Sequence, residues 1–266
     1  MAGGGRGLDD RTVAQLADEL AAASESRTTI ELITARYPEM TIEDSYAVQR
    51  VWRSRREAAG RTLVGRKIGL TSRAMQQATG IDEPDYGVIF DDQVFDSGVR
   101  IPFDRYSNVR IEVELAFELG APVAAGASVE DVLAATAAVI PALEVLDSHI
   151  QLQGRTIVDT ISDNAALGAM VLGERIPPGQ IDDLRWVGAM LSRGEVIEES
   201  GVSGAVLGHP ARGVVWLADR LAGHGDQLAA GEIILAGSFT RPMWVERGDL
   251  VSCDYHELGR VTCSFD

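Results

Sequence analysis

Residues 110–119, Arg-Ile-Glu-Val-Glu-Leu-Ala-Phe-Glu-Leu, alternate strictly between apolar and polar positions. That is the two-residue period of a β-strand and not of a helix. Ile111, Val113, Leu115, Phe117 and Leu119 make one unbroken apolar face; Arg110, Glu112, Glu114, Ala116 and Glu118 make the other. The polar face has two readings. It is the solvated side of a sheet, or it turns Glu112 and Glu114 together into a pocket. On one face their Cα atoms lie about 6–7 Å apart. Two buried carboxylates that close need a cation to stay ionised, and a hard divalent ion such as Mg²⁺ takes oxygen ligands.

The flanking sequence predicts what surrounds this strand. Asp9–Ser26 and Thr41–Ala59 read as amphipathic helices, the second opened by a capping-box variant at Thr41-Ile-Glu-Asp44 and closed by Gly60. Arg50, Arg53, Arg55 and Arg56 on that helix read as a solvated face or as an oligomer contact. From Leu63 the chain turns to short strands: Val64–Leu70, Ile111–Leu119, Val139–Leu146, Gly168–Leu172, Arg185–Leu191, Val196–Glu199, Ile233–Ala236, Leu250–Tyr255 and Val261–Phe265. Val129–Ala138 and Pro210–Leu221 are expected as helices, and residues 74–96 mostly as loop. The expected division is a helical segment, residues 1–60, and a β-rich core, residues 61–266, an α+β arrangement.

Bulk properties narrow the partners. A net charge of −16 argues against nucleic acid and against an anionic membrane surface. No apolar run is long enough to span a membrane, and Met1–Gly7 reads as a flexible tail without a signal-peptide core. Cys253 and Cys263 are expected as buried thiols of a reduced, cytoplasmic protein.

Four further stretches carry chemistry. In Leu63–Leu70, Lys67 shares a strand face with Gly65 and Gly69; it is either a surface lysine on a glycine-rich edge strand or an amine with room beside it for a ligand, and a lysine partly desolvated in a pocket has a lowered pKa and moves protons. Glu144 interrupts the apolar run Val139–Leu146 and is costly there unless paired or metal-bound. Asp159-Thr-Ile-Ser-Asp-Asn164 reads first as a turn or cap. Arg241, in Gly237-Ser-Phe-Thr-Arg-Pro242, either grips a carboxylate with two hydrogen bonds or sits in a surface ion pair. The four histidines form no metal pattern, and no nucleophile elbow or phosphate loop is present. Metal-assisted proton transfer is the class that remains.

Taken in order, Gly65-Arg-Lys-Ile-Gly-Leu-Thr-Ser72, Ile81-Asp-Glu-Pro-Asp-Tyr-Gly87, Arg110–Leu115, Pro141-Ala-Leu-Glu144, Asp159–Asn164, Leu207-Gly-His-Pro210 and Gly237–Pro242 resemble the 2-oxo-alkenoate hydratase and 4-oxalocrotonate decarboxylase family of the fumarylacetoacetate hydrolase superfamily. The second and last segments are most similar to its 2-oxohept-4-ene-1,7-dioate hydratase branch. The short stretch from Asp147 to Asp159 is nearer in length to the pentadienoate hydratases. The resemblance implies a mixed β-sheet rolled into a barrel-like core, a homo-oligomer and, in some pathways, association with a neighbouring enzyme. It implies Mg²⁺ or Mn²⁺ held by Glu112, Glu114 and Glu144. Its substrate is a small 2-oxo acid of aromatic meta-cleavage catabolism, hydrated to a 4-hydroxy-2-oxo acid; 4-oxalocrotonate decarboxylation is the alternative. Lys67 and Asp85 are the expected proton-handling pair, with Thr71, Ser72, Ser162 and Arg241 holding substrate.

Overall fold

The computed structural model describes residues 7–72, 76, 81 and 83–266. The first six residues of the N-terminal tail and Asp82 of the Ile81–Gly87 motif lie outside the described residues. Six α-helices are described: α1 Asp10–Ser26, α2 Ile33–Arg36, α3 Ile42–Ala58, α4 Val129–Ala135, α5 Ile157–Ser162 and α6 Ala211–Ala222. The strands are β1 Leu63–Gly69, β2 Asp85–Phe90, β3 Val94–Asp96, β4 Val99–Ile101, β5 Arg110–Leu119, β6 Thr136–Leu146, β7 Leu167–Leu172, β8 Gly188–Arg193, β9 Val196–Val202, β10 Ile233–Leu235, β11 Met243–Trp244, β12 Leu250–Asp254 and β13 Arg260–Phe265.

Eight strands form one mixed sheet in the order β2-β1-β10-β5-β6-β7-β3, with β11 also on β5. Five form a second, β4-β13-β12-β8-β9. The apolar row of β5 enters the main core together with Val251, Cys253, Val261, Cys263 and Phe265 of the smaller sheet. The opposite face of the large sheet is buried too, where Ala116, Ile140, Ala142, Met170, Leu172, Ile233 and Leu235 cluster. This settles the ambiguity of β5: Arg110, Glu112, Glu114 and Ala116 face protein, and only Glu118 reaches the surface, paired with Arg175 at 2.7 Å.

The N-terminal helices cover the core. Thr41 and Asp44 close a reciprocal capping box on α3. The α3 arginines are not merely solvated: Arg53 reaches Asp226 at 2.9 Å, Arg55 reaches Asp18 at 2.7 Å and Arg56 reaches Asp92 at 2.5 Å. They tie the helix to α1 and to the strand layer.

Other differences have local causes. The expected loop before Asp96 contains β2 and β3. Motif residues Asp85, Tyr86 and Gly87 form β2, because β1 supplies a full antiparallel ladder for them. Helix α4 stops at Ala135, since Thr136 already pairs with Leu119 of β5. Residues 184–186 form a 3₁₀ turn in which the Asp183 carboxylate accepts from the Arg185 amide, so β8 starts later than the pattern indicates. The stretch after Thr156 is a helix, α5, with its own capping box from Thr156 to Asp159. Cys253 and Cys263 are free and buried; they sit opposite Val261 and Val251 and do not face each other. Among the described residues no helix is long and apolar enough to cross a membrane.

Candidate metal and proton-transfer site

Antiparallel pairing of β5 with β6 sets Glu112 directly opposite Glu144, and Glu114 two residues further along the same face of β5. One ligand oxygen from each of the three lies within 4.8 Å of the others. Glu114 and Glu144 are fully buried and Glu112 is 9% exposed. The Gly237 amide donates to Glu114 Oε2 at 2.8 Å. Glu114 Oε1 and Glu144 Oε2 have no donor among the described residues. Burial, reinforced by the Glu144 carboxylate, pushes Glu112 up to about 7, and burial raises Glu114 and Glu144 as well. Three buried carboxylates with orphaned oxygens are what a hard divalent cation satisfies; the donor set fits one.

Lys67 extends from β1 to the same spot. Its Nζ lies 3.0 Å from Glu144 Oε1 and donates to the Ala165 carbonyl at 2.9 Å. Burial opposes the charge, but Glu144, Asp85, Glu112 and Glu114 outweigh it, and the amine is held above its ordinary value. The lowered pKa expected from desolvation is therefore corrected by the surrounding acids; a dication among the glutamates would weaken that hold. Lys67 is the only lysine in the chain.

The two glycines flanking Lys67 serve different neighbours. A Cβ on Gly69 would fall 2.2 Å from Asp85 Oδ1, so its absence admits the Asp85 carboxylate beside Lys67. A Cβ on Gly65 would fall 2.1 Å from the Ile233 carbonyl, so that glycine allows close passage of β10. Asp85 is buried; burial raises its pKa, and Lys67 and Arg155 work against that.

The carbonyl that receives Lys67 comes from a strained turn. Asn164, Ala165 and Ala166 have φ of 48°, 54° and 57°, three consecutive non-glycine residues in the left-handed region. The Asn164 side chain holds it by accepting from the Val88 amide (2.8 Å) and donating to the Val88 carbonyl (2.9 Å).

A small cavity of ≈ 100 Å³ adjoins these groups, lined by Lys67, Asp85, Glu112, Thr71 and Ser72 together with Arg110, Arg155, Thr160 and Ser238. Two sequence candidates lie elsewhere. The Ser162 hydroxyl donates to the Val158 carbonyl at 2.8 Å and lines a separate cavity under α3. The Arg241 side chain is 78% exposed, pairs with Glu199 at 2.8 Å and borders an outer groove whose wall Thr71 and Ser72 share. Arg110, Arg155, Thr160 and Ser238 were not among the sequence candidates. Face parity on β5 carries a signal for Arg110, two residues before Glu112; nothing in the turn before α5 singles out Arg155.

Residues 65–265 match the fumarylacetoacetate hydrolase C-terminal family. The chain is 49% identical over 266 residues to the 2-oxo-hept-4-ene-1,7-dioate hydratase of Escherichia coli, covering 97% of this chain and 99% of that one. It is 38% identical to a 2-keto-4-pentenoate hydratase of Paraburkholderia xenovorans, covering 95% and 94%. Among solved structures it superposes on the 4-oxalocrotonate decarboxylase from Pseudomonas putida G7, complexed with magnesium and adipate. The TM-score is 0.95 at 33% identity, over 98% of this chain and 100% of that one.

Proposed function

The chain belongs to the fumarylacetoacetate hydrolase family, and from that premise we propose that it is a hydratase of 2-oxo-4-enoates, adding water to give a 4-hydroxy-2-oxo acid. The observation that carries the reading is the cluster of three buried glutamates with Lys67 in contact with Glu144, beside a small cavity that Lys67, Asp85 and Glu112 line. The substrate class follows from the full-length likeness to enzymes named as hydratases of this kind.

Glu112, Glu114 and Glu144 would hold Mg²⁺ or a similar divalent ion, which when bound supplies a Lewis acid to the 2-oxo acid end of the substrate. Lys67, charged and aimed by the Ala165 carbonyl, delivers and recovers the proton that interconverts dienol and ketone. That shift sets the double bond in conjugation with the 2-oxo group. Water then adds, its hydroxyl to C4 and its proton to C3. Asp85, buried beside Lys67, takes the proton from the water. Lys67 passes one on to C3. Thr71 and Ser72 line the cavity and hold substrate oxygens. Burial of the whole set excludes bulk water other than the reactant.

The decarboxylase reading is retained because the structural likeness to a 4-oxalocrotonate decarboxylase is so extensive. Purified protein with Mg²⁺ should convert 2-oxohept-4-enedioate or 2-hydroxypenta-2,4-dienoate to a product heavier by one water, detected by mass spectrometry. Release of CO₂ from 4-oxalocrotonate without hydration of either substrate would replace this assignment with the alternative.

A further inference from the structure

The cavity has a second charged end. Arg110 lies on the same face of β5 as Glu112, one two-residue step further from Glu114, which is about 7 Å of strand. Its residue is 8% exposed, and Nε and Nη2 are buried with no hydrogen-bond partner among the described residues. The Trp244 ring packs against its guanidinium, 5.4 Å from centroid to Cζ. Arg155 lines the same cavity from the turn before α5 and spends Nη1 on Ser148 Oγ at 2.9 Å.

Two guanidinium groups sharing a small cavity repel each other, and a buried donor left unmade is costly. The acids nearby do not remove that cost. Glu112 and Glu144 belong to the metal set. Asp147 already accepts from the Ser107 and Asn108 amides, both at 2.9 Å, and from His149 at 3.1 Å. Asp85 lies beside Gly69 and Lys67. Among the described residues no protein group therefore completes Nε and Nη2 of Arg110. A planar anion with two oxygens fits forked donors of this type.

Building on the hydratase reading, we propose that Arg110 and Arg155 form a carboxylate subsite at the end of the cavity away from the three glutamates, so that the enzyme selects 2-oxo-alkenoates carrying a second, terminal carboxylate. The 2-oxo acid end lies at the glutamates, the carbon chain runs along the polar face of β5, and the far carboxylate meets the two guanidinium groups. This places specificity at Arg110 and Arg155 and not at Arg241, whose exposed side chain already pairs with Glu199.

The test compares kcat/KM for 2-oxohept-4-enedioate and 2-hydroxypenta-2,4-dienoate in wild type, Arg155→Leu, Arg110→Met and Arg110→Lys, with thermal unfolding of each. Wild type should prefer the dioate. Arg155→Leu should lower kcat/KM for the dioate by roughly 30-fold or more and leave the monocarboxylate within about threefold. Arg110→Met should do the same if it folds. Arg110→Lys, which keeps the charge and loses the fork, should fall between. Equal losses on both substrates, or a wild-type preference for the monocarboxylate, would overturn the subsite while leaving the hydratase standing. A wild type that hydrates neither substrate would instead remove the hydratase reading. Inhibition by saturated dicarboxylates then provides the separate readout: weakening by Arg155→Leu supports the subsite, and no change removes it.

Discussion

At the scale of single residues, Lys67 shows how type, position and neighbours combine. Every other basic residue in the chain is an arginine or a histidine. Arginine does not release a proton in a protein, and a primary amine does. Lys67→Arg should therefore keep the positive charge beside Glu144 and still lower kcat by about 10²–10⁴. Steady-state turnover checks this, with Mg²⁺ binding measured in parallel; turnover within a few-fold of wild type would exclude Lys67 from proton transfer. The sequence marks Lys67 by its flanking glycines. It does not mark the Ala165 carbonyl that aims it, because alanine gives no signal for left-handed backbone. Nor does it separate Gly69, which admits Asp85, from Gly65, which admits a neighbouring strand.

At the scale of elements, β5 and β6 bring together the three glutamates proposed as metal ligands through parity and register alone. Two residues of one strand share a face, and the antiparallel partner sets Glu144 across from Glu112. Parity is legible in sequence; register is not, since the facing strand begins 24 residues later than Glu112 and is aligned by tertiary pairing. The acid-rich stretch around α5 shows the converse. Asp159 caps α5 and accepts from the Thr34 amide and hydroxyl, Asn164 pins Val88, and Asp163 binds His149. Its acids are structural, which the turn-or-cap reading anticipates. His149 lies between Asp163 (2.8 Å) and Asp147 (3.1 Å). Burial opposes its charge, yet the two carboxylates prevail and raise it to about 10. A histidine raised above its unfolded value of about 6.5 stabilises fully below that pH and loses the contribution as pH climbs through 10. The gap in Tm between wild type and His149→Gln should therefore be widest near pH 6 and narrow steadily towards pH 10. A gap independent of pH would show that His149 is held neutral.

At the scale of the whole molecule, the chain encloses three buried glutamates within a fold whose net charge is already −16. A bound dication relieves both local and global repulsion. Mg²⁺ at about 100 times its dissociation constant should add about 2.7 kcal/mol to stability, seen as a rise in Tm that Glu112→Gln and Glu144→Gln diminish. An unchanged Tm at saturating Mg²⁺ would contradict the ligand set. The sequence by itself determined the strand period, the two long helices with their caps, and the residues fit for metal and proton transfer, because these depend on spacing within a few residues and on side-chain chemistry. Tertiary structure decided which face of β5 is enclosed, since burial of the polar face requires a second apolar cluster along it and the chain at Ala165 and Gly237 to close over its acids. It also decided which cations meet the site. Arg110 and Arg155 line the cavity and Arg241 does not, because proximity across 45 residues of chain follows from packing and leaves no local pattern.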